Sequence, residues 1–188
     1  DIDFIAKEIS VISTGGSVVT RIEPMGLSYA IVILSDNCTF DGFGLAKGLI
    51  PNYYGDGIHI PGSATQPINI RDCSFTELSE AIVGSLFEGT INVINCQFYR
   101  NDRAIYSTLD SASNVPTFNI QQSLFQETTS EVLFLRNADY NLSINDCAFI
   151  ENDSVLVQLE GSGSSNLNIN DCAFLENRND NGRLIYSY

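Results

Sequence analysis

The sequence predicts an all-β fold, a right-handed parallel β-helix of about six to seven coils of about 24 residues each. Three observations predict it. Cys-x-Phe recurs at Cys38/Phe40, Cys73/Phe75, Cys96/Phe98, Cys147/Phe149 and Cys172/Phe174, with Ser123/Phe125 filling the one gap, at intervals of 35, 23, 27, 24 and 25 residues. Alternating apolar pairs precede the motif at Ile68/Ile70, Ile91/Val93, Phe118/Ile120, Leu142/Ile144 and Leu167/Ile169, the period of a strand with one buried face. With 11 Phe, 8 Tyr, no Trp and scattered Asn, Ser and Gly, the composition favours strands and turns over helices.

In chain order, residues 1–26 read as an additional N-terminal coil, with Ile9/Val11 and Val18/Val19 as its inward side chains. Residues 27–188 read as six coils of the same single domain. Within a coil the alternating pair forms the first strand. Two residues then intervene before the Cys, which breaks parity and requires a bend. The residue before each motif is Asn37, Asp72, Asn95, Gln122, Asp146 or Asp171, and Asn and Asp are the side chains that tolerate left-handed backbone. Cys-x-Phe supplies the second strand, with Cys and Phe inward. A third apolar stretch follows at 81–83, 104–106, 132–135, 155–157 and 184–186, and the polar runs at 107–117 and 160–166 read as loops between coils.

Three short strands cannot bury an apolar face alone, whereas stacked coils close a continuous core. The six-residue frame of a left-handed helix and the L-x-x-L-x-L frame of leucine-rich repeats are both absent. At a rung spacing of about 4.8 Å, six or seven coils make a rod roughly 30 Å long whose two ends expose unpaired edges. The opening "DIDFIAKEIS" has no basic or apolar leader segment and no initiator Met, so the chain reads as a mature or excised piece that continues, or that stacks end to end with copies of itself.

A net charge of −14, from 23 acids against nine bases with no basic run, repels a phosphate backbone, so nucleic acid is not an expected partner. The same field disfavours anionic sugars unless a divalent cation bridges the two surfaces. The longest apolar run, residues 29–34, is far too short for a transmembrane helix. The cysteines read as buried free thiols: stacked neighbours keep their Cβ atoms at the rung spacing, slightly wide for a bridge. No C-x-x-C or Cys/His pairing suggests zinc, and no metal ligand set is assigned.

The pattern I-x-N-x-C-x-F-x-x-N resembles the coils of the pectin-lyase-like right-handed β-helix superfamily, which includes pectate lyases, polygalacturonases, phage tailspikes and surface proteins. Phe98/Asn101, Phe149/Asn152 and Phe174/Asn177 are similar to the FxxN repeats of polymorphic outer-membrane adhesins, whose companion GGAI motif is echoed at residues 80–83 and 103–106. The resemblance implies a stacked polar ladder at the bend, inward Cys and Phe stacks, and an extracellular or cell-surface location.

The longest interval, Cys38 to Cys73, carries an insertion with Lys47, Tyr53, Tyr54, Asp56 and the only histidine, His59. Aromatic faces stack on sugar rings, so Tyr53 and Tyr54 are candidate glycan contacts, and Asp56, His59 and Lys47 are the candidate catalytic groups. "GDGIHI" resembles the NTDGIDI stretch of polygalacturonases, with Asp56 on its first aspartate and His59 replacing the second. The GDD, GHG and RIK motifs of those hydrolases are absent, and hydrolysis needs two cooperating carboxylates. Calcium enters only with the enzyme reading, and no other cofactor is expected. Sequons stand at Asn37, Asn141 and Asn152, of which Asn141, at a loop-to-strand entry, is the expected glycan carrier. The first expectation for function is a non-catalytic structural or adhesive rod of a surface or filament-forming protein. The alternatives are a polysaccharide lyase or glycoside hydrolase, or a glycan-binding module.

Overall fold

The computed structural model describes residues 2–3, 8–23, 30–47, 55–62, 64–85, 88–108, 115–136, 139–161, 165–178 and 184–187. Among them the chain is all-β, with 22 strands in three parallel sheets of eight, seven and seven strands. It visits the first, second and third sheets in turn seven times and ends in the first, a right-handed β-solenoid. The first sheet holds the third apolar stretches, such as Glu80–Ser85 and Arg103–Thr108. The second holds the alternating pairs, such as Thr90–Ile94, and the third holds the strands that follow each Cys from Cys73 onward, such as Gln97–Tyr99. No helix among the described residues is long and apolar enough to cross a membrane, which leaves β-barrel spans unaddressed.

Five of the coils bend at two left-handed corners. The corner between the second and third sheets is Asp72, Asn95, Gln122, Asp146 or Asp171, with φ of 50–54°. The corner between the third and first sheets is Glu77, Arg100, Glu127, Glu151 or Glu176, with φ of 53–56°. Glu and Arg have no intrinsic liking for this conformation, which costs of order 1–2 kcal/mol for an L-residue. Tertiary pairing offsets that cost: Glu77 N–H donates to Tyr99 O at 3.0 Å and Arg100 N–H to Gln126 O at 3.1 Å, so the inter-rung ladder runs unbroken around the corner.

The first Cys-x-Phe does not share the position of the others. Phe40 pairs with Ile70, which places Cys38 and Phe40 in the second sheet, one strand earlier than Cys73 and Phe75. Gly42 (φ 78°) is the corner of that coil, and Leu45 pairs with Phe75, so Phe43 and Leu45 take the seats of Cys and Phe. A Cβ on Gly42 would sit 3.0 Å from the Ser13 carbonyl, which is why glycine stands where later coils have Asp or Asn. In the first coil Val11 and Ile22 pack against the core, whereas Val18 and Val19 are 89% and 71% exposed. Those two valines ride a turn closed by Thr20 N–H to Gly16 O at 3.0 Å, not a strand.

Inside, Phe75, Phe98, Phe125, Phe149 and Phe174 form one near-parallel pile, with successive ring centroids 4.9, 4.7, 4.9 and 5.1 Å apart. Cys147 and Cys172 occupy neighbouring rungs, since Ala148 pairs with Ala173. All five cysteines are free thiols. Those at the corner donate to the carbonyl two residues back, at 3.0 Å for Cys73 and 3.2 Å for Cys147; Ser123 makes the same bond at 2.8 Å. From Cys73 onward this seat holds a small donor, and the hydroxyl substitutes for the thiol there. The FxxN asparagines lie further along the same coils. Asn101 and Asn152 are fully buried, and each bridges rungs by accepting from one backbone N–H and donating to one carbonyl.

Candidate functional site

Strand alternation turns every second residue of the first sheet outward. Val83 pairs with His59 and with Tyr106, and Tyr106 with Phe134, so one strip of side chains runs down the rod. Beside it runs a charged row. Arg103 Nη1 lies 2.9 Å from Glu80 Oε1 and its Nε 2.8 Å from Glu131 Oε2. The Arg103 guanidinium also sits 5.3 Å from the Tyr106 ring centroid and 5.6 Å from that of Phe134, within cation–π range. Arg103 is thus held by two carboxylates and two rings.

Asp56 stands at the far end of this row, on the other side of Glu80 from the arginine. Burial, and then the charge of Glu80, push its carboxyl up to about 7, so it holds a proton near neutral pH. Burial also raises Glu80, an effect the hydrogen bond and charge of Arg103 only partly oppose. His59, on the same strand as Asp56, is lowered by burial, which favours its neutral form. A protonated carboxyl beside an ionised one is the chemical requirement of general acid–base work, and neighbouring rungs are spaced about 4.8 Å apart.

The candidate residues divide. Asp56 and His59 share the strand Asp56–Ile60, His59 in the outward strip and Asp56 in the charged row beside it. Lys47 does not join them. Its N–H donates to Thr76 O at 3.1 Å, which puts it in the corner row of Glu77 and Arg100, where it lines a groove of about 860 Å³ with Ser79, Asp102 and Glu127. Neither Asp56 nor His59 lines that groove. Tyr53 and Tyr54 lie outside the described residues. Among the described residues no group of three His, Cys, Asp or Glu side chains is placed to hold a metal ion.

Of the sequons, Asn37 is exposed, with its Nδ2 donating to Glu8 Oε1 at 3.2 Å. Asn141 is half-buried and accepts from Asn166 Nδ2 at 2.8 Å. Asn152 is fully buried with its amide engaged at both ends. By accessibility Asn37 ranks ahead of Asn141, the expected carrier, and Asn152 comes last. The cause is the earlier strand position of Cys38, which leaves Asn37 on the turn before the second sheet.

Sequence reasoning did not place Glu80, Arg103 and Glu131 in one row. The signal was nonetheless present: Glu80 and Arg103 open the two Ala-Ile echoes at 80–83 and 103–106, and the two residues are Cα partners. Comparison with curated proteins and with solved structures found no match. The family model described as the right-handed β-helix region matches residues 28–188, most of the chain. With its three parallel sheets and stacked coils, the chain belongs to the right-handed β-helix region family.

Proposed function

We propose that the chain is a non-catalytic β-helical segment of an extracellular surface or filament-forming protein, a structural and adhesive rod that works through its side faces. One observation carries this reading: the arginines of the side faces are tied to carboxylates of neighbouring rungs, including in the groove that Lys47 lines. Arg103 is shared by Glu80 and Glu131, and Arg100 Nε lies 2.7 Å from Glu127 Oε2. An exposed aromatic ring at the last described rung of the third sheet supports end-to-end contact with a second copy. Phe174 is 41% exposed there, whereas Phe149 beneath it is fully buried. Incubation of the purified protein with neutral and acidic polysaccharides tests the proposal. It predicts no new reducing ends and no unsaturated sugars, together with rods visible by electron microscopy.

A second reading, a polysaccharide lyase or glycoside hydrolase, is favoured by one specific observation, the Asp56 carboxyl held at about 7 beside Glu80. Adjacent rungs stand close to the separation of about 5–5.5 Å found between the carboxyls of retaining glycosidases. Sugar release that disappears in Asp56→Ala would establish this reading and overturn the first.

A further inference from the structure

From Thr90 onward the outward face of the second sheet differs in character from its earlier strands, which carry Asp41 and Arg71. The strands Thr90–Ile94, Thr117–Gln121, Asn141–Asn145 and Asn166–Asn170 contain no charged residue, in a chain of net charge −14. Their outward side chains are mostly amides and hydroxyls. Across successive rungs Asn92 Nδ2 donates to Asn69 Oδ1 at 3.1 Å and Asn119 Nδ2 to Asn92 Oδ1 at 2.9 Å. Asn166 does the same to Asn141 at 2.8 Å and Asn170 to Asn145 at 2.9 Å.

These ladders have a chemical consequence. Asn69, Asn92 and Asn145 each spend one N–H and one oxygen lone pair on neighbouring side chains and keep one of each, while Asn119, Asn166 and Asn170 are tied through one N–H and Asn141 through its oxygen. The remaining donors and acceptors are therefore held in fixed orientation, repeating at about 4.8 Å along the rod axis. A ligand that binds them meets groups already ordered, which lowers the entropy lost on binding. Thr117, Asn119, Asn141, Ser143, Asn166 and Asn168 line a shallow depression of about 470 Å³ on this face.

The occupant follows from charge and area. A polyanion finds no cation on these strands and a polycation finds no carboxylate. Four rungs by five residues present only about 300 Å², well below the roughly 800 Å² per partner of a stable protein interface. A narrow, uncharged polymer rich in hydroxyls fits both limits, because each hydroxyl both donates and accepts, as each amide does. An extended β-linked hexose chain also advances by nearly one rung spacing per sugar.

We propose that the outward face of the second sheet, from Thr90 to Asn170, binds an uncharged linear polysaccharide laid along the rod axis. This rests on the adhesive reading above and names its ligand class. The test is co-sedimentation of the full chain with cellulose, mannan and β-1,3-glucan, against polygalacturonate as the anionic control. Binding to at least one neutral polymer is expected, weakened at least tenfold in Thr117→Lys/Ser143→Lys. Gln97→Lys/Gln126→Lys, which adds the same two charges on the third sheet, leaves it unchanged. Circular dichroism checks that the variants fold, and the single exposed substitution Asn168→Lys, expected to weaken binding about threefold, replaces the double variant if it does not. Absence of binding to every neutral polymer, or binding that survives the lysines, overturns the proposal. So does equal binding to polygalacturonate, or a doubled mass in light scattering that the lysines abolish, which marks the face as a contact between copies. Lost binding with intact rods leaves the rod reading standing, whereas release of sugar products sinks that reading by itself.

Discussion

Asp56 and Glu80 place two half-buried carboxyls on adjoining strands of one sheet, and Arg103 sits on the far side of Glu80, 2.9 Å from its Oε1. Glu80 has a partner and still carries its charge against Asp56. The proton on Asp56 relieves that repulsion.

Stability should therefore depend on pH through Asp56. Its pKa rises from 3.8 in the unfolded chain to about 7 in the fold, so the folded state holds the proton more tightly. The associated stability is fully present below about pH 4 and is lost as pH rises through about 7, an effect of about 2 kcal/mol once solvent screening is allowed for. Melting temperatures of the native protein should fall between pH 5 and pH 8. Asp56→Asn should flatten that dependence, and an equally steep fall in the variant would contradict the assignment.

Removing Arg103 exposes the other side of the same row. Arg103→Ala leaves Glu80 and Glu131 partly buried without a counter-ion and strips a cation from the faces of Tyr106 and Phe134. A loss of about 2 kcal/mol is expected by urea denaturation, below the value for a fully buried pair because all three groups keep some solvent. Adding Glu80→Gln to Arg103→Ala should recover part of it.

The phenylalanine pile gives an internal comparison. Phe125 is fully buried with rings at 4.7 and 4.9 Å on its two sides, so Phe125→Ala should cost about 3–5 kcal/mol. Phe174 is 41% exposed and stacked on one side only, so Phe174→Ala should cost less than half as much. Equal losses in chemical denaturation would mean that Phe174 is covered in solution.

Cysteine chemistry separates the seat from the thiol. Cys96 Sγ donates to Ile94 O at 3.4 Å, and burial pushes its pKa well above the ordinary value, so it should resist alkylation until the rod unfolds. Cys172, half-buried in the last described corner, should react first. Cys96→Ser should be close to neutral because Ser123 already makes the corresponding bond, whereas Cys96→Val, which removes the thiol donor and leaves Ile94 O to the Asp72 N–H at 3.0 Å, should cost about 1 kcal/mol.

Much of the rod was legible in the chain. The apolar pairs, the bend before each later Cys and the inward Phe pile all follow from local spacing, because alternation and turn chemistry act over a few residues. The second corner was not, since Glu77, Arg100 and Glu127 carry no turn signature and adopt left-handed backbone only because their N–H groups meet carbonyls of the next rung. Cys38 misled for a related reason. Cys-x-Phe looks the same in either strand, and the Asp-Gly at 41–42 was the better marker of that coil's corner.

By itself, then, the sequence determined the class of fold, the length of a coil and which side chains point inward in most of the rungs, since each depends on neighbours within one turn. Tertiary structure alone decided which strand Cys38 and Phe40 enter, and that Glu80 lies between Asp56 and Arg103. It also decided which asparagines stack into ladders on one face. Those relationships join residues 23 to 30 positions apart, such as Asn69 to Asn92 and Phe40 to Ile70, and only the register of parallel pairing brings such residues together.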